Sequence, residues 1–295
     1  MCNTSAMSDP NATVRRRRLG MELRRLREQA STRIDQVAPD LEVSESTLSR
    51  IERGQSPITV RNVQWLLDRY GLENEDEREA LVQLAREAKS AVRGWWVDYE
   101  GVLPAKFSTY VGLEAEAIAL RTFHLGAIAG LLQTEAYARA MIAALRPGDA
   151  AEDIDRLVTL RIRRQEEVLV TRQSPLSLWT VLDEASLRRP LGDRTVMVEQ
   201  LRRLIEASAL PNVTVQVLPF DKGAHAGLYG DFTIIEFQEV ADPDVVYLEG
   251  PTGSVFIERP DDVRRFALIF DHLRATALSP TETVEHIHTI LKENP

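Results

Sequence analysis

Twelve consecutive residues, Val43-Ser44-Glu45-Ser46-Thr47-Leu48-Ser49-Arg50-Ile51-Glu52-Arg53-Gly54, bring together the groups needed to read a charged, hydrogen-bonding polymer. Ser44 is of the type that accepts a hydrogen bond from the free N–H groups at a helix start. A helix begun there turns Leu48 and Ile51 inward and Glu45, Ser46, Thr47, Ser49 and Arg50 outward. Gly54 stands where such a helix would stop. Short polar side chains in the first turn let the backbone come close to a ligand, and an arginine forks onto guanine or pairs with phosphate. The pattern predicts a major-groove reading helix at about 45–53. Ser46, Thr47, Ser49 and Arg50 are expected to face base edges, with Glu45 accepting from cytosine. Ser44 is the expected cap, and Arg53, Arg24 and Arg33 are expected at phosphates.

Other chemistry-bearing residues are sparser. Lys222-Gly223-Ala224-His225-Ala226-Gly227-Leu228-Tyr229-Gly230 is a glycine-rich stretch between two strand-like segments. Its small residues would permit close approach of an effector or partner, with His225 and Tyr229 as polar handles, although turn glycines in a plain strand connection explain it slightly better. Trp95 and Trp96 offer an aromatic platform, but paired tryptophans more often anchor a segment by packing. His286 and His288, two apart on a helix, point to nearly opposite sides and are no metal pair. His124 stands alone. With a single cysteine, Cys2, no disulfide within the chain and no cysteine-based zinc site is expected. No nucleophile–base spacing, phosphate loop or nucleophile elbow appears, so catalysis, self-cleavage included, is not expected, and no cofactor or metal is.

The elements that must position these residues follow from periodicity. Leu19, Leu23 and Leu26 recur at helical spacing. A second short helix is predicted at about 34–41 and a third from the Ser44 cap, with a fourth at about 59–70 carrying Val60, Val63, Leu66 and Leu67 inward. Residues 74–91 read as a charged amphipathic helix. Beyond it, helices are predicted at about 110–122, 132–145, 152–171 and 193–208. Strands are predicted at 177–182, 213–218, 231–237, 244–249 and 253–257. Ser279-Pro280-Thr281-Glu282 is a capping box that opens a last helix. The expected fold class is α+β overall: an all-α N-terminal domain and an α+β C-terminal domain with a mostly antiparallel sheet. The expected division is a disordered tail at 1–13, a helix-turn-helix domain at 14–72, a linker helix at 73–93 and a regulatory or partner-binding domain at 94–295.

Charge separates the two halves. Residues 1–70 hold 12 Arg against 9 Asp and Glu, a balance of +3, while residues 71–295 hold 24 Lys and Arg against 36 Asp and Glu, a balance of −12; together they make the whole-chain −9. A basic head on an acidic body suits a head that binds DNA and a body with another task. No run is apolar enough to span a membrane, and Met1 to Asn11 lacks the apolar core of a signal peptide. A cytoplasmic, nucleoid-associated location with no membrane partner is expected.

Leu19-Gly20-Met21-Glu22-Leu23-Arg24-Arg25-Leu26-Arg27-Glu28 and the segment from Val43 to Gly54 resemble the Xre/Cro/C1 helix-turn-helix family, over residues 18–71. The resemblance implies a homodimer on palindromic double-stranded DNA, its two reading helices about one DNA turn apart. Arg33 and Ile34 depart from the family's usual Thr-Gln pair, so no phosphate contact is expected from Ile34, and Pro39 removes one backbone bond of the second helix. Gly94-Trp95-Trp96-Val97-Asp98-Tyr99, Tyr110 to Glu114, Gly130 to Arg139 and Leu210 to Phe220 resemble the C-terminal domain of the actinobacterial Scr1/WhiJ-like regulators, with Ala129 where that group usually has Pro. That likeness implies a transcriptional regulator of development or antibiotic production, controlled by a small molecule or by a small protein encoded by a neighbouring gene. An antitoxin-like protein-binding module with autoregulatory DNA binding is the alternative it carries.

Overall fold

The computed structural model describes residues 12–90, 95–99, 105–238, 242–250 and 253–293. The expected tail lies outside these residues apart from its last two positions, as do Cys2 and Gly94. The chain divides into two compact units, Met1–Val97 and Asp98–Pro295.

The first unit is all helix: α1 (Ala12–Gln29), α2 (Ile34–Val37), α3 (Glu45–Glu52), α4 (Val60–Arg69) and α5 (Glu75–Ser90). Leu19, Leu23 and Leu26 of α1 meet Leu48 and Ile51 of α3, Val63, Leu66 and Leu67 of α4, and Leu81, Val82 and Ala85 of α5 in one core. The helix expected as a linker thus packs on α1 and α4 and contributes to the head's core. Arg25 ties it to α1 through Glu77 at 2.6 Å. The second predicted helix does not run unbroken to residue 41. α2 ends before Ala38, and Pro39 opens a separate 3-10 turn, Pro39–Leu41, because it has no N–H to continue the α-helical ladder. Both α3 and α4 end in a left-handed glycine, Gly54 at φ 67° and Gly71 at φ 71°. At each, paired backbone bonds close the last turn: Gly54 to Ile51 and Gln55 to Arg50, then Gly71 to Asp68 and Leu72 to Leu67.

The second unit is built on β1 (Ala119–His124), β2 (Ser177–Asp183), β3 (Val213–Leu218), β4 (Phe232–Glu236), β5 (Val245–Gly250) and β6 (Gly253–Ile257). They form one sheet in the order β3-β2-β1-β4-β5-β6. The sheet is mixed, a correction to the mostly antiparallel expectation: β1, β2 and β3 run parallel, and β4, β5 and β6 continue antiparallel from β1. Parallel neighbours need long crossovers. These are α7 (Glu135–Leu145) with α8 (Ala151–Glu166) between β1 and β2, and α9 (Glu184–Arg188) with α10 (Arg194–Ser208) between β2 and β3.

β1 is where the sequence pattern misled. Residues 110–122 were expected as one helix, but α6 (Ala105–Glu116) stops and β1 begins at Ala119, with Ile118 N–H already bonded to the Glu236 carbonyl. Flanked by parallel β2 and antiparallel β4, β1 buries Leu120, Thr122 and Phe123, so it lacks the clean alternation of a half-exposed strand. The two last helices are α11 (Pro260–Thr276) and α12 (Pro280–Glu293). The predicted capping box opens α12: Ser279 N–H reaches Glu282 at 2.8 Å, and Glu282 N–H reaches Ser279 Oγ at 3.3 Å. Phe270 and Leu273 of α11 pack with Phe123, Val181, Leu218, Phe232, Ile234 and Val246 as one core.

One of the tight crossings in the head is at Gly20. A Cβ there would fall 2.5 Å from the Ile51 carbonyl oxygen and 2.7 Å from that of Glu52. Alanine favours helices over glycine by about 1 kcal/mol, so an open site would gain from Gly20→Ala. Here the obstacle is backbone, and we expect Gly20→Ala to destabilise the head by about 1–3 kcal/mol. Hydrogen exchange of the α1 and α3 amides in the full chain measures this; slower exchange than in the parent would refute the close crossing.

Candidate nucleic-acid interface

Ser44 caps α3 as its residue type demands. Its Oγ accepts from Thr47 N–H at 3.2 Å and lies 2.9 Å from both Ser46 Oγ and Thr47 Oγ1. Three hydroxyls therefore cluster at the N-terminal end of the helix, where free N–H groups favour an anion. At about 100° per residue, Leu48, Ile51 and Glu52 form one stripe and Ser46, Arg50 and Arg53 the opposite one. Burial follows this division. Leu48, Ile51 and Glu52 are buried, Ser46, Arg50 and Arg53 are exposed, and Thr47 and Ser49 on the flanks are intermediate. Glu45 is exposed in the first turn but projects on the flank beyond Ser49, away from the Ser46–Arg50 stripe.

The arginines differ in what engages them. Arg50 has no ion-pair partner among the described residues. Arg53 folds back so that Nε donates to the Ser49 carbonyl at 3.0 Å. Arg24 is paired with Glu28 at 2.8 Å, and Arg33 with Asp35 through two bonds of 3.1 and 2.7 Å. These two pairs are exposed and worth about 0–1 kcal/mol, so a phosphate can displace the carboxylate at small cost.

What sequence reasoning missed is how α3 is held. Glu52 is 5% exposed and receives Arg27 in a two-pronged pair, Nε to Oε1 at 2.6 Å and Nη2 to Oε2 at 2.9 Å. Arg27 also donates to the Thr32 carbonyl at 3.0 Å, fixing the turn that leaves α1. Hydrogen bonding to Glu52 raises the Arg27 pKa above its ordinary value despite burial. Tyr70, buried beside the pair, has its hydroxyl pushed well above the usual phenol range by burial and by the Glu52 charge. Gly54 completes the seat, since a Cβ there would lie 2.5 Å from Arg17 Cα. Within Arg50-Ile51-Glu52-Arg53-Gly54, then, Ile51, Glu52 and Gly54 hold the helix on α1, and Arg50 and Arg53 face out. The one signal available in sequence was Glu52, a carboxylate at core spacing from Leu48, with Arg27 at core spacing from Leu23.

The residues considered for an effector fall in both units. Trp95 and Trp96 belong to the first, on a 3-10 turn, Trp95–Tyr99, with their rings edge to face at 5.9 Å and Trp96 buried. His225 and Tyr229 belong to the second and are not equivalent. The His225 side chain is 8% exposed, with Nε2 3.2 Å from Asp183 Oδ2 and the ring edge-on to Phe123. Tyr229 is fully exposed, on a cleft of about 680 Å³ whose walls include Asp231, Phe232, Phe266 and Ile269, and His225 is not among its lining residues. His124 is not isolated: its Nδ1 is 3.1 Å from Asp231, which also accepts from Leu125 N–H.

Removing either member of the Arg27–Glu52 pair strands the other charge in the core. Glu52→Gln and Arg27→Met are each expected to cost about 3–5 kcal/mol, and the double replacement Arg27→Met with Glu52→Leu much less than their sum. Denaturant unfolding followed at the α3 amides gives the coupling; strictly additive costs would show that the pair is not a unit.

Comparison with known proteins agrees with this division. A helix-turn-helix domain model matches residues 18–81, covering α3, its seat on α1 and the first turns of α5. No curated protein and no solved structure matches the chain significantly. A second family model, a domain of unknown function (DUF5753), matches residues 107–289, from α6 to the last helix. That match spans more than half of the 295 residues, so the chain belongs to the DUF5753 family, with a helix-turn-helix domain at its N-terminal end.

Proposed function

We propose that the protein is a sequence-specific transcriptional regulator of the Xre/Cro/C1 type that inserts α3 into the DNA major groove. The observation that carries this reading is the two-sided construction of α3: a stripe seated on α1 by Glu52, Ile51 and Gly54, and an opposite exposed stripe of Ser46, Arg50 and Arg53. A reading helix needs a fixed orientation and short polar residues at the end that enters the groove. Arg50 is the base-reading arginine, with Ser46, Thr47 and Ser49 beside it. Arg53, Arg24 and Arg33 are the phosphate residues. The protein acts as a homodimer on a palindromic operator, in the cytoplasm, and performs no catalysis. Among the described residues no helix is long and apolar enough to cross a membrane.

The second unit takes the controlling signal, a small molecule or a small protein from a neighbouring gene, in keeping with the resemblance to Scr1/WhiJ-like regulators of development and antibiotic production. Three large apolar side chains exposed within ten residues, Phe220, Leu228 and Tyr229, support an antitoxin-like reading in which a protein partner covers that loop. The two readings share the DNA-binding head.

A binding titration against the protein's own upstream DNA, with unrelated DNA as control and salt varied, tests the proposal. Affinity for the upstream DNA should exceed that for the control and fall steeply with salt. Arg50→Ala should cost about 1–3 kcal/mol and relax specificity at one base pair, while Arg53→Ala should weaken all sequences alike and lower the salt slope by about one. Equal affinity for both DNAs at every salt concentration would refute sequence-specific regulation.

A further inference from the structure

Between α7 and α8 of the second unit lies a cavity of about 90 Å³ in which three arginines, Arg146, Arg161 and Arg164, meet apolar walls of Ile142, Leu157 and Leu160. Three guanidinium groups around one small space are unusual in a unit whose charge balance is acidic, and each has a different partner. Arg164 is neutralised: Glu114, itself fully buried, takes it in two bonds of 2.8 and 2.6 Å, and the rings of Phe107 and Tyr110 stack against it at 5.2 and 5.4 Å. Arg146 is paired with Asp149 at 3.1 Å. Arg161 has no carboxylate within ion-pair distance among the described residues. Its one hydrogen-bond partner there is the neutral Gln133 amide, Nη1 to Oε1 at 2.6 Å.

That bond sets the direction of Arg161. Gln133 is buried and spends its own Nε2 on the Ile128 carbonyl at 2.7 Å, while its backbone carbonyl accepts from Gln165 at 2.8 Å. The amide is thus rigid, and Arg161 is held with donors to spare. Burial lowers the Arg161 pKa to about 10, the like charge of Arg164 adding to the effect and Glu249 and Glu114 opposing it. At neutral pH it is a half-buried charge whose hydrogen-bond partner among the described residues is a neutral amide. A bound anion would supply what the protein omits.

We propose that this cavity binds a small organic monocarboxylate, its carboxylate on Arg161 and its short apolar chain along Ile142, Leu157 and Leu160. The hydrocarbon walls favour an anion that carries an apolar chain over a bare ion such as phosphate, and Glu249 on the wall leaves room for no more than one negative head group. The chain leaves past Leu145, a lining residue that is 68% exposed. Use of this ligand as the controlling signal rests on the regulator reading above, but its binding does not.

Calorimetric titration of the full chain, without DNA, tests the site with sodium hexanoate, 1-hexanol and inorganic phosphate as probes. Hexanoate should saturate one site per chain, hexanol should bind far more weakly, and phosphate should not bind. Arg161→Gln should weaken hexanoate by about ten- to a hundredfold, the loss of a charge-assisted hydrogen bond. Because Arg161→Gln disturbs the Gln133 contact, Leu145→Asp is the companion variant. It sits at an exposed position and places a competing carboxylate at the mouth, so it should weaken hexanoate with unfolding unchanged. Lack of saturation at millimolar hexanoate, equal binding of hexanol, binding of phosphate in its place, or unaltered affinity in Leu145→Asp would each overturn the proposal. Loss of sequence-specific DNA binding with hexanoate binding intact would sink the regulator reading and leave this site standing.

Discussion

Everything the head does depends on the crossing of α1 and α3, and that crossing depends on a buried charge pair. Arg27 and Glu52 meet through two hydrogen bonds inside an otherwise apolar core. Taking two charges out of water costs several kcal/mol per ion, and their attraction repays this only when the geometry is good. Apolar residues in the same places could hold the helices together as firmly, but their contacts are not directional. The forked pair is directional: its two bonds are made at one position of α3 along α1 and in one rotation. Gly20 and Gly54 then remove the two Cβ atoms that would hold the backbones apart. The outward direction of Arg50 is a consequence of this inward geometry.

The second unit repeats the device. Glu114 and Arg164 form another buried, two-pronged pair, here joining α6 to α8. Around it, glutamines do what charges do in the head. Gln133, Gln165 and Gln200 satisfy the carbonyls of Ile128, Gly130, Leu132 and Gln133, a stretch with little regular structure of its own. Buried backbone without ladder partners must find side-chain partners, and long neutral amides reach them without the desolvation cost of an ion. Gln216 serves likewise at the sheet, accepting from Trp179 and donating to the Leu278 carbonyl. The segment from Ile128 to Gln133 is held largely by this scaffold.

The sheet explains where the unit has room for function. β1, β2 and β3 are parallel, so their connections are helices, and the cavity beside Arg161 is lined mainly by two of those helices, α7 and α8, with Phe107 of α6 and Glu249 of β5 completing its wall. At the other half, the exposed Tyr229 cleft lies between the antiparallel strands β4 to β6 and α11. Phe220, Leu228 and Tyr229 protrude from the loop linking the parallel set to the antiparallel set, a position that no ladder constrains.

Many local elements were legible in the sequence, but the 17-residue α11 (Pro260–Thr276) was not among those expected. Ser44, Gly54, Gly71 and the Ser279–Glu282 box marked helix boundaries, because capping is chemistry between residues three or four apart. The outward face of α3 was legible for the same reason, from its apolar period. Strand direction and β1 were not. A parallel strand buried on both faces loses its alternation, and whether it runs with or against its neighbour depends on the crossover between them, although a helix at 193–208 between strands at 177–182 and 213–218 pointed that way. The partners of charged residues lay further out of reach. Glu52 finds Arg27 across 25 positions and Arg164 finds Glu114 across 50. Core spacing hints that Glu52 and Arg27 are inward, but nothing in the sequence pairs them or pairs Arg164 with Glu114. The tertiary structure makes the difference by enclosing Arg164 with Glu114 and leaving Arg161 with a neutral amide.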